Sequence, residues 1–217
     1  MKPPRGSDPA GSDPSGTVLL ATRNPGKARE LQRLLKPLDV RVLTLESFPG
    51  VPLVVEDKHT LEENAVKKAA ETWLHVDLPV LADDSGLEVE ALGGRPGVHS
   101  ARFAGAAQDD RANVAKLLKL LRGVPPSRRK ARFVCVLAFA RGGRIIKTFR
   151  GACEGSIALA PSGRAGFGYD PVFIPAGRKK TLAELGPGVK DRLSHRVRAV
   201  RAFARWLRKD LSGGPAG

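Results

Sequence analysis

Thr17-Val-Leu-Leu-Ala-Thr22, continued by Arg23-Asn-Pro-Gly-Lys27, decides the fold class. The first six residues form a short apolar run next to a polar tail and read as a buried strand. Asn24 is a good helix N-cap, and Pro25 has its φ pre-set for the first helical position. Ala28, Leu31, Leu34 and Leu35 then recur on one helical face until Pro37 stops the helix. A strand running straight into a helix is the repeating unit of α/β proteins, and the same alternation continues outward. Residues 40–45 read as the next strand. Thr60-Leu-Glu-Glu63 is a capping box that opens a helix to about residue 75. Residues 79–83 read as a strand ending in carboxylates, and 87–92 as another short strand closed by Gly93-Gly94. Residues 108–121 are helical by the spacing of Val114, Leu117, Leu118 and Leu121. Residues 131–140 and 144–151 read as a hairpin turned at Gly142-Gly143. Residues 192–211 form a last helix with Leu193, Val197, Val200, Phe203, Ala204, Leu207 and Leu211 on one face. Strands alternating with helices, plus one hairpin, predict an α/β fold with a mixed sheet.

The chain has 217 residues, 41% of them hydrophobic, which suits one domain with a real core. Residues 1–16 are rich in Pro, Gly, Ser and Asp and are expected to be a disordered tail; 17–211 form the domain and 212–217 a flexible end. No apolar run approaches the roughly 20 residues of a membrane span, so an integral membrane protein is excluded. Two cysteines, Cys135 and Cys153, exclude a disulfide scaffold and a four-cysteine zinc site. The N-terminus lacks an apolar signal region, so a cytoplasmic protein is the expectation.

The charge is 37 basic against 22 acidic residues, a net +15, and it is unevenly spread. From Arg111 to Cys153 there are twelve basic residues and no acid. From Glu56 to Glu90 ten acids face three lysines. Acid-rich and base-rich stretches on one domain fit a cation site near an anion-binding surface, or else solvated faces.

Four motifs carry chemistry. In Thr22-Arg-Asn-Pro-Gly-Lys27 a helix N-terminus gathers hydroxyl, amide, backbone and lysine donors: an anion site, or a plain capped helix. The charge of Lys27 opposes the helix dipole there, a conflict that a bound phosphate would resolve. In Leu81-Ala-Asp-Asp-Ser-Gly86 adjacent carboxylates point to opposite faces. One can face a cleft, where it could bind Mg²⁺ or activate water, while the other caps a turn through Ser85 and Gly86; the alternative is an Asx-turn without chemistry. Glu56 offers a second hard oxygen ligand, unless it is simply a solvated glutamate on a strand edge. In Gly166-Phe-Gly-Tyr-Asp-Pro171 a planar ring could stack on Phe167 or Tyr169 while Asp170 takes a base-edge hydrogen bond. In Lys190-Asp-Arg-Leu-Ser-His-Arg196, Ser194 could cap the last helix, with Lys190, His195 and Arg196 around its start.

With these motifs in order, the chain resembles the inosine/xanthosine triphosphate pyrophosphatase family, which hydrolyses deaminated purine nucleoside triphosphates. The matching residues are Ala21-Thr-Arg-Asn-Pro-Gly-Lys-Ala-Arg-Glu30, Glu63-Asn-Ala65, Ala82-Asp-Asp-Ser-Gly-Leu87, Gly93-Gly-Arg-Pro-Gly97, Ser100-Ala-Arg-Phe-Ala-Gly105, Gly166-Phe-Gly-Tyr-Asp-Pro171 and Ser194-His-Arg196. The resemblance implies an elongated, two-lobed mixed sheet flanked by helices, with a central nucleotide-binding cleft and usually a homodimer. It implies that Thr22, Asn24 and Lys27 hold the triphosphate, with Arg23, Pro25 and Gly26 in the same loop and Lys68 a weaker contributor. Glu56 and Asp84 would form the Mg²⁺ side. Asp84 would be the general base, and Ser85 a substrate contact. Phe167 would stack on the purine, with Gly168, Tyr169 and Asp170 completing that loop. Lys190, His195 and Arg196 would read the purine's six-position oxygen. Donors aimed at that oxygen accept hypoxanthine and xanthine and meet an amino group in adenine. Two departures from the pattern are Arg23, where many relatives have a smaller residue, and Val55, where some have a second acid.

Two rivals fit less of the chain. A Maf-like nucleotide pyrophosphatase shares the strand-turn-helix phosphate site but not the Gly-Phe-Gly-Tyr-Asp loop or Ser-His-Arg. A basic nucleic-acid-binding module would use the 111–150 stretch and the last helix, which lack a recognised motif with stacking aromatics. The expected partner is therefore a purine nucleoside triphosphate, with no membrane and no specific nucleic acid.

Overall fold

The computed structural model describes residues 16–212; the expectations for the two chain ends otherwise lie outside the described residues. Six strands form one mixed sheet in the order β2-β1-β3-β4-β5-β6. These are β1 Thr17–Ala21, β2 Arg41–Thr44, β3 Val80–Val89, β4 Lys130–Arg141, β5 Arg144–Ile157 and β6 Phe173–Pro175. The first three run parallel, and β3 to β6 pair antiparallel. The helices are α1 Pro25–Leu35, α2 Leu61–Trp73, α3 Asp110–Leu120, α4 Leu182–Leu185, α5 Pro187–Leu193 and α6 His195–Ser212. The mixed α/β architecture is the one read from the sequence.

The expected caps are in place. The Asn24 side chain accepts from the Lys27 N–H at 3.0 Å, and Thr60 and Glu63 close a reciprocal capping box; such caps are worth about 1 kcal/mol each. The hairpin turns at Gly142 and Gly143, both with positive φ.

Three readings are corrected. The two short strands on either side of Asp84 are one ten-residue strand, β3, paired with β4 along its whole length, so Asp83-Asp84-Ser85-Gly86 is strand interior and not a turn. The helix expected from residue 192 is two, broken at Ser194, which has an extended backbone and whose hydroxyl accepts from Val197 N–H in α6. Glu56 lies in an irregular segment and not on a strand edge. β6, α4 and the part of α5 before residue 192 have no counterpart among the expected elements.

The two-residue period of the long strands sorts the core. On one face, Leu81 of β3 and Cys135, Leu137 and Phe139 of β4 join α1 and α6 in one apolar cluster. Further along the same face, Leu87, Val89, Ala131 and Phe133 join α3 and α4 in a second. Between the two clusters β3 presents Asp83 and Ser85. The opposite face carries Ala82, Val134, Val136 and Ala138 against α2, and there β3 presents Asp84. The apolar core is thus parted at a polar waist.

Candidate active site

The waist lies where β1 stops. Its last partner on β3 is Ala82, opposite Ala21. Beyond that point β3 loses its parallel neighbour, and residues 22–25 turn away into α1. Ligand sites in open α/β sheets form at such carboxyl ends of strands.

On the α6 side, Asp83 is a hub. Its carboxylate takes an ion pair from Lys27 at 2.7 Å, the Arg196 Nε at 2.9 Å, the Ser85 hydroxyl at 2.6 Å and the Cys135 thiol at 3.1 Å. Burial by itself would push this carboxyl up; Arg196 and Lys27 overcome that and hold it well below the usual aspartate range. Burial likewise opposes the charge on Lys27, but Asp83 and Asp84 win and raise its pKa. The conflict between Lys27 and the helix dipole is therefore already resolved inside the protein by Asp83.

Arg196 is 1% exposed and spends its guanidinium three ways: on Asp83, on Glu30 Oε2 at 2.6 Å through Nη1, and on the Ser85 hydroxyl at 2.9 Å through Nη2. Lys190 pairs with Asp170 at 2.6 Å and lies 3.6 Å from Glu30. Burial raises the Asp170 pKa despite Lys190 and the Phe167 N–H donated to it. His195 stacks on Phe133 with ring centroids 4.8 Å apart. Burial first, then the positive charges of Arg196 and Lys190, drive its imidazole well below the ordinary value, so it is neutral. Ser194 is fully buried at the junction of α5 and α6.

Phe167 covers this cluster. Its centroid is 4.3 Å from Lys190 Nζ, and its ring crosses Gly26 so closely that a β-carbon there would lie 2.8 Å from Cδ1. Of the two aromatic rings in the loop, only Phe167 is placed to stack. Tyr169 is turned into the apolar core, with its hydroxyl donating to Ser100 O at 2.9 Å. Gly168 N–H donates to Asp110, and the Arg23 guanidinium to the carbonyl of Val51. Thr22 accepts from the Asn24 N–H at 3.2 Å, and Pro25 is exposed.

On the α2 side, Lys68 Nζ joins three oxygens: Glu56 Oε1 at 2.5 Å, the Asp83 carbonyl at 2.6 Å and Asp84 Oδ1 at 3.3 Å. Arg102 approaches the Glu56 carboxylate at 3.7 Å and donates to its backbone carbonyl. Burial opposes the charge on Glu56, but Lys68 lowers its pKa overall. Burial raises that of Asp84, with Lys68 only partly offsetting it. Asp84 Oδ2 is buried with no hydrogen-bond partner in the structure. Among the described residues no three His, Cys, Asp or Glu side chains form a cluster able to hold a metal ion. Two carboxylates with one free oxygen do fit Mg²⁺, which typically takes one or two protein carboxylates and fills its shell with water and substrate phosphate.

Most of the sequence-predicted residues therefore gather around one notch in the sheet, Asp83 and Asp84 facing its two sides, whereas Tyr169 turns into the core and Arg23 toward Val51. Glu30 and Arg102 were not singled out. Both sit inside the matched motifs, and Glu30 carried a signal: it is a charged side chain three residues after Lys27 and four before Leu34, on the buried helix face.

Residues 18–206 match the model of the Ham1 family. The dITP/XTP pyrophosphatase of Geobacillus kaustophilus is 51% identical over 183 residues, covering 84% of this chain and 90% of that protein. The protein of the same name from Desulforamulus reducens is 50% identical over 184 residues, covering 85% and 92%. The solved structure of the Staphylococcus aureus Ham1 protein superposes with a TM-score of 0.79 at 36% identity, over 89% of this chain and 99% of that one. A family-model match across residues 18–206, about 50% identity over most of the chain and a shared fold make this chain a member of the Ham1 family.

Proposed function

We propose that the protein hydrolyses deaminated purine nucleoside triphosphates, dITP and ITP, XTP and dXTP, to the monophosphate and pyrophosphate, keeping them out of DNA and RNA. The observation that carries this reading is the pair of faces at the notch. A buried carboxylate with a free oxygen sits on one side, a cationic cluster under an aromatic ring sits on the other, and a helix N-terminus lies between them. A nucleotide straddling the open edge of β3 would set its phosphates beside Asp84 and Lys68 and its base beside Phe167.

In this reading Thr22, Asn24 and the α1 N-terminus take phosphate oxygens, helped by Lys27 and Lys68. Asp84 orients the attacking water and accepts its proton, a task favoured by the raised pKa that burial gives it. Glu56 and Asp84 would hold Mg²⁺, which when bound neutralises charge on the triphosphate. Phe167 stacks on the purine. Lys190, Arg196 and neutral His195 present donors toward the six-position oxygen, and Glu30, Asp83 and Asp170 hold the two cations in place. An adenine amino group there would face donors and leave them unpaired. The same reading takes the enzyme as a cytoplasmic homodimer. Among the described residues no helix is long and apolar enough to cross a membrane.

The test is pyrophosphate release from dITP, XTP, dGTP and dATP, with and without Mg²⁺. The wild type should hydrolyse the first two and spare dATP. Asp84→Asn should melt normally and lose turnover by about 10²–10⁴. Near-normal hydrolysis by that variant, or equal rates on dATP, would refute the proposal.

A further inference from the structure

The twelve cations of the acid-free stretch from 111 to 153 have no part in the notch, although Phe133 and Cys135 of the same stretch do. Eleven of them are exposed. Arg129 is the exception, a buried guanidinium that donates to the carbonyls of Leu121, Val124 and Ala158 around the end of α3. Two of its members, Lys147 and Arg150, do belong to a second feature.

Toward its start β5 is an open edge. β6 pairs with it only at Gly155, Ser156 and Ile157, so residues 144–154 have β4 on one side and, among the described residues, no strand on the other. α6 packs beside this edge and leaves a groove of about 640 Å³. Lys147, Thr148, Phe149 and Arg150 all line it. Four consecutive strand residues alternate faces, so the wall they share is the strand's edge. The other wall is Ala202, Arg205, Trp206, Arg208 and Lys209 of α6.

Among the described residues the lining has five cations and no acid. Lys147, Arg150 and Arg205 are exposed, and none of them makes an ion pair among the described residues. The helical spacing continues the charge: Arg198 and Arg201 are exposed on the same side of α6 as Arg205 and Arg208. Charged edge strands commonly guard against sheet extension, but that role does not call for a second row of arginines on the facing helix. The groove is also separate from the notch. Arg205 lies nine residues from Arg196, about 13 Å along the helix.

We propose that this groove binds the phosphodiester backbone of single-stranded nucleic acid, without sequence preference. Its form is a cationic channel that follows the backbone of a single strand, with the half-buried Trp206, packed on Phe139, Phe149 and Phe203, as an aromatic lining residue. An anionic membrane is disfavoured because surface-binding helices also present exposed apolar anchors. Among the described residues the exposed large apolar side chains are Leu53, Val55, Leu74, Leu120 and Leu159, none of them on α6 or at the groove.

The experiment is fluorescence anisotropy of a labelled oligo-dT with the full chain, from about 50 to 200 mM salt. Five contacts predict a log–log salt slope of about −3.5. The triple variant K147Q/R150Q/R205Q should lose at least about tenfold in affinity and flatten the slope to about −1.4, the value for two remaining contacts. A matched triple at exposed positions elsewhere, K119Q/R122Q/R128Q, should bind like the wild type, and both triples should keep the wild-type melting temperature. Equal losses in the two triples would reduce the effect to net charge and overturn the groove. Absence of oligonucleotide binding at the lowest salt would also overturn it, as would tighter binding to duplex or to anionic vesicles than to the single strand.

Discussion

Arg196 shows how one residue can carry both architecture and site. Among the described residues it is the largest fully buried side chain, and it reaches Asp83, Glu30 and Ser85 at once because a guanidinium is a rigid fork of donors. Its neighbours are charged in near balance, with Asp83, Glu30 and Asp170 against Lys27, Lys190 and Arg196 itself, so no charge is buried alone. Removing one member of such a network is costly, typically about 3–5 kcal/mol, because the others stay buried. Arg196→Leu should therefore take a large share of a total stability of about 5–15 kcal/mol. The check is urea unfolding of Arg196→Leu, Glu30→Gln and the double variant. Since Glu30 is a direct partner, the double should cost less than the sum of the singles; strict additivity would mean that the pair does not interact. The sequence announced Arg196 through its motif. It marked Glu30 only by its spacing on the buried helix face, and the role of that glutamate becomes clear only with its partner 166 residues away.

Among the elements, β3 separates what was legible from what was not. Asp-Asp-Ser-Gly has the composition of a turn, and the reading of two strands followed from it. Two facts outside the segment override that local preference. β4 offers an uninterrupted partner, with ten register pairs from Val80 to Val89. Each polar side chain of the segment also finds a partner on its own face: Asp83 with Lys27 and Arg196, Ser85 with Asp83, Asp84 with Lys68. Gly86 is explained by packing and not by a turn. The 3-10 helix Gly97–Arg102 passes so close that a β-carbon would collide with the Gly97 carbonyl and meet Ser100 Oγ at 3.1 Å. β1, α1, α2 and the hairpin were legible because their signals are local: caps, periodicity and glycine turns. Thr181-Leu-Ala-Glu184 closes a second capping box of the same kind and could have revealed α4. Gly86→Ala should destabilise by overpacking, by about 1–3 kcal/mol, which for a domain of this size lowers the melting temperature by roughly 2–4 °C per kcal/mol. An unchanged melting temperature would show that the backbone gives way at no cost.

At the scale of the molecule, the parted core is what makes acid sensitivity informative. The net +15 is mostly exposed, whereas the waist is a closed set of buried titratable groups with shifts in both directions. Asp83 is held below its ordinary value, so its contribution is present above about pH 4 and is lost as pH falls through the lower native value. Asp84 and Asp170 are raised, so on acidification the native state takes up their protons first, and they partly offset that loss. His195 acts earlier than Asp83. Its native pKa is far below the ordinary imidazole value of about 6.5, so below that pH the unfolded chain binds a proton that the folded chain refuses. One such proton removes up to about 1.4 kcal/mol of stability per pH unit. The waist should therefore weaken as pH falls from 7.5 to 5.5, roughly the window this histidine commands. The whole-molecule slope mixes opposing groups, so the decisive comparison is with His195→Gln, which keeps polarity and cannot titrate. Thermal unfolding across that window should give a steeper decline for the wild type than for the variant. Parallel curves would mean that His195 is protonated as readily in the fold as out of it, and the neutral imidazole between Phe133 and the cations would then have to be abandoned.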